Sequence, residues 1–182
     1  GPEQQGSAVP DPKAQYSGDK VQAPGKKYEE RIMQPVCRSL ITNLEVPAKP
    51  DGLWTQVLDY VGPSRKLRFK ASGTWAWQDP AAAAAPSVGG ADAKRECGPD
   101  GDPGMPPSAD ALSQDALIGA LIGKFGGSSA AIKNTSAFAV GSYCVVEVTD
   151  TTKGPLYLTI NDVLGGMANN SGKLSVSIWE AL

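Results

Sequence analysis

Apolar and polar residues alternate with a period of two along much of the chain, and helical periodicity is scarce. Leu67, Phe69 and Ala71 alternate with Arg68 and Lys70, which reads as a strand with one buried and one wet face. Residues 156–160 and 174–178 repeat that pattern. Residues 53–61 set Leu53, Thr55, Val57, Asp59 and Val61 on one face, with Trp54, Gln56, Leu58 and Tyr60 opposite. Residues 37–46 alternate in part and are expected at a sheet edge. Residues 73–77 put Trp75 and Trp77 on one side, which reads as core or sheet-face packing rather than as a sugar-stacking platform. The most apolar run, residues 117–125, suits a buried strand better than a helix. Residues 138–148 oppose Tyr143, Val145 and Glu147 to Cys144, Val146 and Val148. Residues 47–52, 62–64 and 150–155 are turns rich in Gly and Pro or in short polar residues. Short strands separated by such turns predict an all-β chain folded as an antiparallel, jelly-roll-like β-sandwich.

Two stretches break the pattern. Residues 1–31 are polar and rich in Gly, Pro, Gln and Lys, so they bury too little to offset their ordering entropy. They read as an N-terminal tail, either flexible or docked on a protein partner, ahead of a β-sandwich domain over residues 32–182. Residues 78–111 are expected to form a long irregular region. Its Ala81 to Ala85 run is bounded by Pro80 and Pro86 and is too short to nucleate a stable helix. Asp100-Gly101-Asp102 lacks the rest of an EF-hand loop and reads as a turn.

Composition removes several chemistries. The 182 residues are 41% hydrophobic, enough for a single core, while 21 Gly and 15 Pro favour many turns. A net charge of −2 gives no basic footprint for nucleic acid. No apolar run approaches the roughly 18 residues that span a bilayer. The absence of histidine excludes His-based catalysis and His metal ligation together. The three cysteines, Cys37, Cys97 and Cys144, lack C-x-x-C spacing, so zinc and thioredoxin-type readings fail. One disulfide with one remaining thiol is expected of an exported chain, with all three pairings open, and three free thiols of a cytosolic one. No secretory signal is read at the start, as is expected of a mature or trimmed chain, and Gly1-Pro2 resembles the scar of a protease that has removed a leader.

The chemistry concentrates between the last two strands. Asn161, Asp162, Asn169, Asn170 and Ser171 crowd the loop with oxygen donors, and Gly165, Gly166 and Gly172 allow its carbonyls to turn inward. One carboxylate with several amide and carbonyl oxygens, and neither Cys nor His, is the ligand set of a hard cation such as calcium. A polar hairpin that binds nothing uses the same residues for conformational reasons.

The order Asn-Asp-Val-x-Gly-x-x-x-Asn-Asn-Ser-Gly, followed by an alternating strand, resembles the calcium loop of the small bacterial galactose-binding lectins of the PA-IL type. The resemblance covers roughly residues 50–182, and its specific part is this loop. It implies calcium held by the side chains of Asp162, Asn169 and Asn170. The Gly166 carbonyl and the carbonyl of Trp77, the aromatic residue of a Gly-x-x-x-aromatic strand, would complete the protein ligands. It also implies sugar contacts from Asp162, Val163 and Asn169. That family takes a His and a Gln from the middle of the chain to contact the sugar. Here Pro106 and Ala109 fall near those positions, and Gly166 replaces a Thr. The metal half of the motif is kept, and the sugar-selecting half departs from it.

Two functions follow. One is a calcium-dependent carbohydrate-binding module for galactose-like or other glycans, in which sugar hydroxyls coordinate the ion directly. The other is a lectin-like structural or interaction subunit of a larger surface assembly that has lost galactose specificity. No recognisable catalytic motif places the carboxylates, so an enzyme is not expected. The resemblance further implies a non-cytoplasmic location (extracellular, cell-surface or periplasmic) and allows a homo-oligomer.

Overall fold

The structure, a computed structural model, describes residues 37–78, 94–132 and 137–181. The predicted N-terminal tail, the Ala81 to Ala85 run and Leu182 lie outside the described residues. Among the described residues ten strands form two antiparallel sheets, as the period-two pattern predicts. The larger sheet contains β1 (Cys37–Pro47), β3 (Lys66–Ser72), β4 (Trp75–Gln78), β5 (Lys94–Cys97), β8 (Tyr143–Glu147) and β10 (Ser171–Ala181). Its order is β5-β4-β10-β3-β8, with β1 also paired to β10. The smaller sheet runs β2-β9-β6-β7, from β2 (Thr55–Val61), β9 (Gly154–Ile160), β6 (Leu121–Phe125) and β7 (Phe138–Ala139).

The long strand β10 organises the larger sheet. It pairs β1 over most of its length, with Val46 opposite Leu174 and Leu44 opposite Val176. It also pairs β3, with Phe69 opposite Ile178, and its first residues pair β4, with Ser171 opposite Ala76. Val46, Leu67, Phe69, Leu174, Val176 and Ile178 from this sheet meet Leu121, Ile122, Leu156, Leu158 and Ile160 from the other in one buried core. This is the sandwich arrangement, held mainly by apolar surface removed from water. Phe138 bridges the layers, its ring centroid 6.1 Å from Phe69 and 5.6 Å from Phe125. That approach requires Gly123, where a Cβ would lie 2.8 Å from the Phe138 ring.

Several details differ from the alternation read in the sequence. Register shifts at residues 56–58 and 58–61 break the two-face pattern of β2. The apolar run at 117–125 is strand over Leu121–Phe125; residues before it form buried turns. Residues 138–148 do not continue one sheet. Gly141, at φ +65°, turns the chain from β7 in the smaller sheet to β8 in the larger. Within the expected irregular region, Lys94–Cys97 is a strand paired to β4, a short and mostly polar segment that lacks the apolar alternation of the others. In agreement with the sequence, Trp75 and Trp77 are both 1% exposed and lie in the core. Trp179 is half-buried, and its ring lies under the Arg68 guanidinium, 4.5 Å away. Cys97 and Cys144 are both buried, and among the described residues no disulfide joins them.

Candidate functional site

Strand β9 ends at Ile160 and delivers Asn161 and Asp162 directly into the loop. Both are fully buried. The chain then crosses a short 3-10 turn, Met167–Asn169, and enters β10 at Ser171. The Gly166 N–H donates to the Val163 carbonyl, and the Asn170 N–H donates to that of Met167, which folds the loop back on Asp162.

Asp162 uses one carboxylate oxygen locally. Oδ1 accepts the Val163 N–H at 2.7 Å, whereas Oδ2 is buried and has no hydrogen-bond partner among the described residues. Burial pushes the carboxyl pKa upward, opposed by the nearby Asn170 amide and by the Val163 N–H. The Asn170 amide nevertheless does not reach hydrogen-bond geometry with Oδ2. Its Nδ2 donates instead to the Ala48 carbonyl at 3.0 Å, which leaves Asn170 Oδ1 buried and unpartnered. The Ala48 bond fixes which end of the amide is oxygen. Gly166 lies against the carboxylate: a Cβ there would sit 3.3 Å from Asp162 Oδ1 and 3.2 Å from the Val163 carbonyl oxygen. Asn169 is exposed on the outer side of the turn, and Val163 is half-buried.

Trp77 reaches the site through the sheet. β4 pairs β10 with Ser171 opposite Ala76 and Gly172 opposite Trp75, so Trp77 follows the last paired residue of β4, as Asn170 precedes the first of β10. Its indole is buried near Gly119, with the Arg95 guanidinium 5.9 Å from the ring. The structure therefore brings Gly166 and Asn170 beside Asp162, with Asn169 in the same loop and β4, which carries Trp77, paired to the start of β10. It does not add Asn161, whose amide is consumed by backbone groups of residues 113–117. Asp100 and Asp102 are also taken by the protein. Asp100 accepts from Ser142 N–H and Oγ, and Asp102 is paired with Arg95 at 2.6 Å. Burial raises the pKa of Asp102, but the Arg95 bonds and charge and the Gly104 N–H outweigh it and lower the value overall.

A segment that sequence reasoning did not connect to the site forms its side wall. Ala111 bridges Val163, the Leu112 N–H donates to the Asp162 carbonyl at 3.0 Å, and the Leu164 N–H donates to the Asp110 carbonyl at 3.2 Å. These are backbone contacts between distant residues, which side-chain patterning does not announce. Among the described residues no three Cys, Asp or Glu side chains converge as a metal-holding group. The donor set here is of another kind, one carboxylate with amide and carbonyl oxygens.

The PA-IL-like protein family matches residues 81–181, more than half of the chain and all of this loop. The chain belongs to the PA-IL-like family. Among solved structures it is similar to one described as "EclA N-terminal domain; PllA-like lectin". That likeness has 20% identity and a TM-score of 0.50, over 78% of this chain and 97% of that one. At that identity it speaks for the fold alone, a β-sandwich. No curated protein matches the chain. Membership of the PA-IL-like family marks the chain as a lectin-type binding protein, and no helix among its described residues is long and apolar enough to cross a membrane.

Proposed function

We propose that the protein is a calcium-dependent carbohydrate-binding module. Asp162, Asn169 and Asn170 hold the ion by their side chains, and Gly166 and Trp77 by their main-chain carbonyls. The observation that carries this reading is the pair of buried, unpartnered oxygens, Asp162 Oδ2 and Asn170 Oδ1, in one loop. A buried carboxylate oxygen without a donor is costly, and a divalent cation satisfies it without needing a hydrogen. Oxygen donors of mixed charge with no sulfur or imidazole suit calcium.

Bound there, calcium supplies a positive centre for two vicinal sugar hydroxyls. Asp162 and Asn169 add hydrogen bonds to those hydroxyls, and Val163 offers an apolar contact. The exposed position of Asn169 suits a group shared between the ion and an incoming ligand. Pro106 and Ala109 are exposed where the family's selecting His and Gln stand, so the glycan is chosen by different contacts and galactose is one candidate among several. A shallow site of this kind binds weakly alone and gains from multivalent display, in keeping with a surface or extracellular location.

Thermal unfolding of the full chain in EDTA and then in millimolar calcium tests the metal site, and a glycan array probed in both buffers tests the ligand. A calcium-dependent rise in midpoint with calcium-dependent glycan signal is expected. An unchanged midpoint would refute the metal assignment.

A further inference from the structure

Asn161 and Asp162 are neighbours in the chain and equally buried, yet their side chains serve different ends. Asn161 Oδ1 accepts the Ser113 N–H at 2.8 Å. Its Nδ2 approaches the carbonyls of Ser113 at 3.0 Å, Ala116 at 2.9 Å and Leu117 at 3.3 Å. Two amide hydrogens shared among three carbonyls leave no donor for anything else. The segment so held, residues 113–117, belongs to no strand. The amide thereby satisfies buried backbone groups, because Ser113, Ala116 and Leu117 are all buried; of the three carbonyls, that of Leu117 also accepts the Ala120 N–H.

The end of β9 does not need this side chain. The Asn161 N–H donates to the Ala120 carbonyl at 2.8 Å, and the Gly119 N–H donates to the Asn161 carbonyl at 2.7 Å. Asp162 is therefore placed by main-chain bonds, while the segment beside it is placed by the Asn161 amide. That segment continues into the wall formed by the Ala111–Val163 bridge and the bonds of Leu112 and Leu164. At its rim stand exposed Asp110 and Leu164.

We infer that Asn161 is a positioning residue for glycan binding: it fixes residues 108–117 as the side wall of the Asp162 site and does not itself ligate the cation. The inference takes its ligand from the proposed function, but its geometry stands apart from that reading. Removing the amide frees the wall and leaves the cation ligands in place.

The test compares the full wild-type chain with Asn161→Ala and the milder Asn161→Ser. Hydrogen exchange by mass spectrometry is read in EDTA and in calcium, and a glycan array is probed in calcium. In both variants residues 108–118 should exchange at least tenfold faster while β6 and β10 keep their rates. The calcium-dependent rise in midpoint should persist, and glycan signal should fall tenfold or more. In the wild type, calcium should slow exchange at 108–118 together with 162–170. Wild-type protection of 108–118 in a folded variant overturns the inference, as does full glycan binding with that segment exposed. Calcium slowing confined to 162–170 in the wild type also overturns it, even when neither variant folds. A wild type with neither calcium response nor glycan signal refutes the proposed function instead, and the exchange rates of the variants still decide the role of Asn161.

Discussion

Asp162 and Asn170 each present a buried side-chain oxygen that accepts no hydrogen bond, one from each end of the same loop. The partners they do have are main-chain groups, Val163 N–H for the carboxylate and the Ala48 carbonyl for the amide. Those bonds orient both side chains before any ligand arrives. Unsatisfied buried oxygens of this kind cost about 1–3 kcal/mol each, a burden that fits a binding site better than a structural hairpin.

Asp162→Asn separates the two readings by the sign of its effect. Asparagine keeps an oxygen for the Val163 N–H and removes a buried carboxylate whose pKa is already raised. In EDTA the variant is expected to be as stable as the wild type or about 1 kcal/mol more so. The wild type should gain about 2.7 kcal/mol when calcium is at a hundred times its Kd, and the variant should gain nothing. Calorimetric midpoints in the two buffers check both halves. A marked loss of stability in EDTA would make Asp162 a structural residue.

The two asparagines of the motif should behave differently although they are adjacent. Asn170→Ala strands the Ala48 carbonyl and should cost about 1 kcal/mol even in EDTA. Asn169 is exposed, so Asn169→Ala should leave stability in EDTA within about 0.5 kcal/mol of wild type. Both should weaken the calcium response, and Asn169→Ala should abolish glycan-array signal. Chemical denaturation in EDTA and in calcium, together with the array, distinguishes them.

The parts legible in the sequence were those written in side-chain pattern. Leu67-Arg68-Phe69-Lys70-Ala71 gave β3 because its apolar residues repeat every second position. The oxygen-rich loop stood out because Asp162, Asn169 and Asn170 are close in the chain. The rest depends on contacts between distant residues. Nothing in Lys94–Cys97 marks it as a strand until β4 supplies a partner. Asn161 looked like another oxygen donor, and the backbone of residues 113–117, which consumes its amide, is almost fifty residues earlier in the chain. The bulges in β2 likewise answer to the register of β9 rather than to local composition.

Lys124 is fully buried, and its Nζ donates to the Ser128 carbonyl at 2.8 Å while lying 4.8 Å from the Trp54 ring and 5.0 Å from Tyr157. The same two aromatic residues hold the loop after β6, through Trp54 Nε1 to the Ala131 carbonyl and Tyr157 OH to that of Gly127. Lys124→Met should speed exchange over residues 128–131 and cost about 1 kcal/mol at neutral pH, where lost cation–π and hydrogen-bond terms exceed the relieved desolvation. Burial lowers the Lys124 pKa, so the unfolded chain binds more protons than the folded one between that lowered value and 10.5. Wild-type stability should therefore rise relative to the variant as pH climbs through that window. A deficit that does not change with pH would show that the ammonium is not desolvated.

Cys97 should act with the opposite sign. Its thiol is pushed up to about 12, first by burial and then by the Asp102 charge, with Trp75 and Arg95 opposing. The native chain should resist iodoacetamide at Cys97 at pH 8 and react there once unfolded, because the thiolate is the nucleophile. From the ordinary thiol value of 9.0 up to about 12, the folded state retains a proton that the unfolded state releases. Stability should fall as pH rises across that interval. Cys97→Ala removes the titrating group and the Sγ packed against Gly119, where a Cβ would stand only 2.4 Å away. The variant should be about 1 kcal/mol less stable than wild type near pH 7, from the small cavity, and should close that gap as pH rises above 9. Midpoints of the pair measured from pH 7 to 10.5 check it, and parallel curves would mean that Cys97 ionises as readily folded as unfolded.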